Sequence, residues 1–180
     1  AGMDSKQVLA RFEAERQALA VMDHPNIAKV HDAGTTPEGK PFFVMELVKG
    51  VPLTQFCDDK RLTVHERLHL FMQVCQAVQH AHQKGIIHRD LKPSNVMIDQ
   101  NCDVRITDFG LAKQLDRDYS LTETGQILGS IDYMPPEQAA GQHAQVGPTS
   151  DVYSLGATLY CLLTGRPPFQ AATVMETLVQ

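Results

Sequence analysis

Asp90 and Asn95 stand five residues apart in the run His88-Arg89-Asp90-Leu91-Lys92-Pro93-Ser94-Asn95, with an ammonium at Lys92 between them and Pro93 stiffening the turn. That spacing is too irregular for one face of a helix, so the run predicts a rigid loop that aims several polar groups at one point. Thirteen residues past Asn95 comes Asp108-Phe109-Gly110, a second acid on a turn. Two carboxylates, an amide and an ammonium converging on a pocket suit phosphoryl transfer. A site of that kind orients an alcohol, holds Mg²⁺ and neutralises charge on the moving phosphoryl group.

The flanking segments show how such a loop is held. Thr63 to Lys84 reads as a helix, with Thr63 and Glu66 as a capping box. Val64, Leu68, Phe71, Cys75, Val78 and His82 mark its expected buried stripe, and Gly85 ends it in the left-handed conformation. Val96–Ile98 and Val104–Thr107 read as strands around the turn formers 99–103, a hairpin that brings Asn95 and Asp108 together. Upstream, apolar residues at helical spacing predict a helix from Gln7 to Met22. Ile27–His31 and Phe42–Glu46 predict two strands around the loop 34–40. Asp151 to Thr164 is apolar nearly all round and predicts a buried helix, in which Gly156 implies close backbone packing.

His65-Glu66-Arg67-Leu68-His69 also satisfies a zinc-protease pattern, HExxH, with both histidines on one helical face. Glu66 is better used as the capping partner, and the histidines lie about 100° from the apolar stripe. No third ligand is evident that another motif does not claim.

HRDLKPSN followed by DFG, with Pro135-Pro136-Glu137 beyond, resembles the eukaryotic-type serine/threonine protein kinases. Gly165-Arg166-Pro167-Pro168-Phe169 is most similar to bacterial members. The resemblance implies an α+β, protein-kinase-like two-lobe fold in truncated form. Residues 1–47 would be a remnant of the N-lobe, one helix plus strands. Residues 48–180 would be the hinge and most of the mainly helical C-lobe, up to the start of the helix after the Asp151 helix.

The implied activity is transfer of the ATP γ-phosphate to a serine or threonine hydroxyl of a protein substrate, in the cytoplasm, with Mg²⁺. In that reading Asp90 accepts the substrate proton, Lys92 stabilises the transferring phosphate, and Asn95 and Asp108 hold the metal. Met45 fills the gatekeeper position, the backbone of Glu46 and Val48 meets the adenine edge, and Met97 forms the floor beneath the ring. Met97 reads equally as ordinary core. Glu15 matches the helix glutamate that pairs with a strand lysine, and Asp151 holds the backbone of the catalytic loop. Arg166 is similar to the arginine that pairs with Glu137. Residues 108–137 correspond to the activation segment, with Ser120, Thr122 and Thr124 available for phosphorylation and Arg89 placed to meet the phosphate. Ser130 stands where the family usually has threonine.

The glycine-rich loop and the strand lysine of the family pattern do not occur in these residues, and Lys6 lies too close to Glu15 to serve as that lysine. The expectation is a piece of a longer catalytic domain, nearly inactive alone. The alternative is a catalytically inactive kinase-like binding module, although such a module would more often have lost Asp90 or Asp108.

The 180 residues suffice for one domain with a real core. A net charge of −5, from 16 basic and 21 acidic residues, gives no reason to expect nucleic acid or anionic membrane as partner. No apolar run is long enough to span a bilayer. Cys57, Cys75, Cys102 and Cys161 are scattered and read as reduced thiols rather than a disulfide framework.

Overall fold

The computed structural model describes residues 22–37, 41–109 and 131–179. Strands β1 (Val30–Thr35) and β2 (Pro41–Met45) form an antiparallel hairpin. A three-stranded sheet follows in the order β3 (Gly50–Pro52), β4 (Val96–Asp99), β5 (Val104–Ile106), antiparallel throughout. Around it lie helices α1 (Leu53–Asp59), α2 (Val64–Gln83), α3 (Pro136–Ala139), α4 (Pro148–Thr164) and α5 (Val174–Val179). The fold is α+β, a small hairpin followed by a mainly helical body.

The long helix α2 starts where its sequence says. Thr63 Oγ1 accepts from the Glu66 N–H at 3.4 Å, and Glu66 Oε2 accepts from the Thr63 N–H at 2.7 Å. These bonds satisfy end groups that a helix leaves open. Its end is set by Gly85 at φ +76°, a conformation that a side chain disfavours. Between the caps, α2 buries Phe71, Val74, Ala77, Val78 and Ala81. They pack with Leu53 and Cys57 of α1, Leu162 of α4, and Val96, Ile98, Val104 and Ile106 of the sheet.

The expected stripe on α2 holds at Phe71 and Val78, with Cys75 packed against the core, but fails in the first turns. Val64 and Leu68 are 60% and 37% exposed. Phasing by the bulkiest residues overlooked Ala77 and Ala81, which are fully buried. Helix α4 departs from expectation in the same way. It buries Ser150, Asp151, Ser154, Ala157, Thr158 and Leu162, while Val152 on its other side is 61% exposed. A Cβ at Gly156 would meet no described atom within 4 Å, so close packing does not explain that glycine here.

The first strand also starts later than expected. Ile27 forms a parallel bridge with Ile106, and the Ala28 N–H donates to the Ile106 carbonyl at 2.8 Å. Those residues are thus taken by β5, and the hairpin strand runs on through Gly34 and Thr35. Strand β3 and helix α1 were not foreseen. Strand β3 has only three residues and ends in proline, but Gly50 lets it approach β4 so closely that a Cβ would lie 2.1 Å from the Ile98 carbonyl oxygen.

One guanidinium ties three helices together. Arg67 on α2 donates to the Leu62 carbonyl at 3.1 Å, to the Leu162 carbonyl at the end of α4 at 2.8 Å, and to the Cys57 carbonyl of α1 at 3.3 Å. It also meets Asp58 at 2.7 Å. Arg67→Ala should cost about 2–4 kcal/mol, since several charge-assisted bonds end on one group, whereas loss of the cap in Thr63→Ala should cost about 1 kcal/mol. Denaturant midpoints of the two variants check the order. Equal losses would show that the guanidinium is no hub.

Candidate active site

The loop from His88 to Asn95 is held from below by one carboxylate. Asp151, 1% exposed in the first turn of α4, accepts from the His88 N–H through Oδ2 and the Arg89 N–H through Oδ1, each at 2.8 Å. His82 of α2 places Nε2 at 2.7 Å from the same Oδ2. This clamp holds Arg89 at φ +66°, a backbone conformation that costs energy outside glycine. On the other side, Gln138 of α3 donates to the Arg89 carbonyl at 3.1 Å.

The imidazole of His88 is fully buried and spends both nitrogens on backbone. The Asp90 N–H can only donate, so the 3.3 Å contact makes Nδ1 an acceptor; Nε2 then carries the proton and donates to the Thr107 carbonyl at 3.0 Å. The ring is neutral, and burial holds its pKa below the ordinary 6.5 despite the opposing pull of Asp151. Phe109 packs on it, with ring centroids 4.5 Å apart.

Thr107 closes the circuit. Its N–H donates to the Asn95 carbonyl at 2.9 Å, so the start of β4 and the residue before Asp108 are locked together. The foreseen hairpin thus delivers its two ends to one place. Asp108 follows at φ +55°, exposed.

Asp90, Lys92 and Asn95 meet directly. Lys92 Nζ lies 2.9 Å from Asp90 Oδ2. Asn95 Nδ2 donates to the Asp90 carbonyl at 2.8 Å and approaches Asp90 Oδ2 at 3.3 Å. The amide oxygen, Oδ1, accepts from the Ser94 hydroxyl at 3.4 Å. An amide oxygen and the Asp108 carboxylate are hard donors of the kind Mg²⁺ takes.

Met45 ends β2, and Glu46, Leu47 and Val48 form the bend toward β3. Met97 lies on the face of β4 opposite the core residues Val96 and Ile98, half-buried, so it is not ordinary core. It pairs in register with Pro52 on one side and Arg105 on the other.

Other expectations end differently. Glu66 is engaged in the cap, while His65 and His69 are exposed. Glu137 accepts a hydrogen bond from Ser150 at the start of α4, and Arg166 lies past the far end of that helix. Seventeen residues of helix are about 25 Å long, so Arg166 cannot be the partner of Glu137. Glu15, Ser120, Thr122, Thr124 and Ser130 lie outside the described residues. The roles of Thr107, His82 and Gln138 at the site were missed, because each contributes through bonds to main-chain atoms or to Asp151. Such roles leave no pattern in spacing.

Residues 2–180 match the family model described as protein kinase domain. The chain therefore belongs to the protein kinase family. It is 44% identical over 164 residues to the serine/threonine-protein kinase PknB of Mycolicibacterium smegmatis, an alignment that covers 88% of this chain and 26% of that protein. Against the probable serine/threonine-protein kinase PknB of Lactococcus lactis, identity is 43% over 162 residues, covering 89% and 25%. Against PknA of Mycobacterium tuberculosis, it is 42% over 168 residues, covering 91% and 38%. The chain thus spans only about a quarter to two-fifths of these relatives.

The neutral, buried His88 makes stability depend on pH. As pH falls below the ordinary 6.5, the unfolded chain takes up a proton that the folded ring resists, so stability drops toward the lower folded value. His24, also held low by burial and by neighbouring His80, acts in the same direction. Denaturant titrations between about pH 7 and 5 should show this acid slope, reduced but not abolished in His88→Phe. An unchanged slope in that variant would contradict the neutral assignment.

Proposed function

We propose that the complete protein transfers the γ-phosphoryl group of Mg·ATP to a serine or threonine hydroxyl of a protein substrate. Residues 1–47 belong to its N-lobe, and residues 48–180 to its hinge and C-lobe. The supporting observation is convergence: Lys92 and Asn95 both reach the Asp90 carboxylate, within 3.3 Å, while the Thr107–Asn95 bond brings Asp108 alongside.

In this reading Asp90 takes the proton of the substrate hydroxyl and aims its oxygen. Lys92, identified with serine/threonine rather than tyrosine specificity by family likeness, meets the transferring phosphate. Asn95 and Asp108 would hold Mg²⁺, which would offset the negative charge of the ATP phosphates. Met45 guards the back of the nucleotide cleft, the backbone of Glu46 and Val48 binds the adenine edge, and Met97 lies under the ring. Glu15 pairs with a lysine of the longer protein. The reaction belongs in the cytoplasm, where ATP and reduced thiols coexist; all four cysteines are free. No described helix is long and apolar enough to cross a membrane.

Phosphate transfer from labelled ATP by the complete protein tests this. Asp90→Asn should lower the rate by about 10²–10⁴, the usual worth of a positioned base, and Asp108→Ala should abolish stimulation by Mg²⁺. Undiminished transfer in Asp90→Asn would sink the assignment. A complete protein that transfers nothing yet keeps a specific partner would be a kinase-like binding module instead.

A further inference from the structure

Glu46 sits at the bend where the chain leaves the β1–β2 hairpin for the three-stranded sheet. Its N–H donates to the Lys29 carbonyl at 2.8 Å, so that group is spent within the protein. Its side chain turns back as well: Oε2 accepts from the Lys29 N–H at 3.1 Å and from Arg105 of β5. Arg105 uses its other terminal nitrogen on the Pro25 carbonyl at 2.9 Å. One guanidinium thus joins three segments: the turn at Pro25, the bend at Glu46 and the strand that runs into Asp108.

This pair is more than a surface contact. The Arg105 side chain is 17% exposed and that of Glu46 37%, so solvent screens the pair only in part. Arg105 pairs with Met97 across the β4–β5 ladder and shares the half-buried, outward face on which Met97 lies. Its strand neighbour Ile106 is fixed to the same turn, donating to the Asn26 carbonyl and accepting from the Ala28 N–H, both at 2.8 Å.

We infer that Glu46 and Arg105 form a clip that holds the nucleotide-binding bend at a set distance from Met97 and from the strand carrying Asp108. Arg105 is then a positioning residue for the nucleotide. The inference rests on the reading in which the Glu46 and Val48 backbone meets the adenine edge. A side chain clamped behind the bend keeps those backbone groups aimed into the cleft, and a loosened bend must be ordered again each time a nucleotide binds. The Asp90 loop is held separately by Asp151, so the clip acts on nucleotide affinity more than on the chemical step.

The complete protein serves for the test, with Mg·ATP in steady-state kinetics, ADP in direct binding, and an acceptor peptide that the unaltered protein phosphorylates. Glu46→Gln and Arg105→Gln should each raise KM for Mg·ATP and Kd for ADP about five- to tenfold, the scale of one ordinary hydrogen bond. The rise in KM should exceed any fall in kcat, and KM for the peptide should stay put. The double variant should be no worse than the poorer single one, and Arg105→Lys should recover part of the loss. Glu46→Gln and Arg105→Lys keep the test open if Arg105→Gln fails to fold. A lowered melting point with unaltered nucleotide KM, or losses that simply add, would overturn the clip. Val48→Pro, which deletes a backbone donor of the bend, separates the two layers. If it weakens ADP while the clip variants do not, the clip alone fails. If it binds ADP normally, the reading of the bend fails and the clip falls with it.

Discussion

A buried carboxylate is costly to desolvate, and Asp151 is buried almost completely. It is stable there because three donors converge on two oxygens: the His88 and Arg89 N–H groups and the His82 ring. Its place in the first turn of α4 adds the favourable end of the helix dipole. The dependence runs both ways. Without the carboxylate, two backbone donors lose their partner, at roughly 1–3 kcal/mol for each one left buried, and the left-handed Arg89 loses the bond to its own N–H.

From that anchor the site is assembled through main-chain bonds. The Asp90 N–H and the Thr107 carbonyl are joined through the His88 ring, and Thr107 binds the carbonyl of Asn95. Side chains at 90, 92 and 95 then project from a backbone whose course is set elsewhere. Irregular spacing is the natural outcome, because a loop locked at several points need not follow the period of a helix or a strand.

Local signals were legible in the sequence wherever the determinant was itself local. The Thr63–Glu66 cap, the Gly85 stop and the hairpin at 99–103 each depend on residues within a few positions of one another, and each formed. Burial was harder to read. It depends on what packs against a helix, so Val64, Leu68 and Val152 were assigned to interfaces that the described residues do not supply. Arg166 was paired by family likeness with an acid at the opposite end of α4, an error that only the helix length exposes. The convergence of Asp90, Lys92 and Asn95 was readable because the motif is compact. The network behind it was not, since a histidine such as His82 looks the same whether it fills a stripe or grips a carboxylate.

Strand β5 shows why three residues can matter beyond their length. Val104 and Ile106 are fully buried in the core, and between them Arg105 faces the other way. The next residue, Thr107, takes up both the His88 ring and the Asn95 carbonyl. The alternation of a strand thus lets one short segment belong to the core on one face and to the bend at Glu46 on the other. Its continuation reaches the loop held by Asp151. A shift of this strand by one residue would exchange those faces, expelling Val104 and Ile106 and driving the Arg105 charge inward. The cost of that exchange keeps the register unique, and with it the point at which Asp108 emerges beside Asn95.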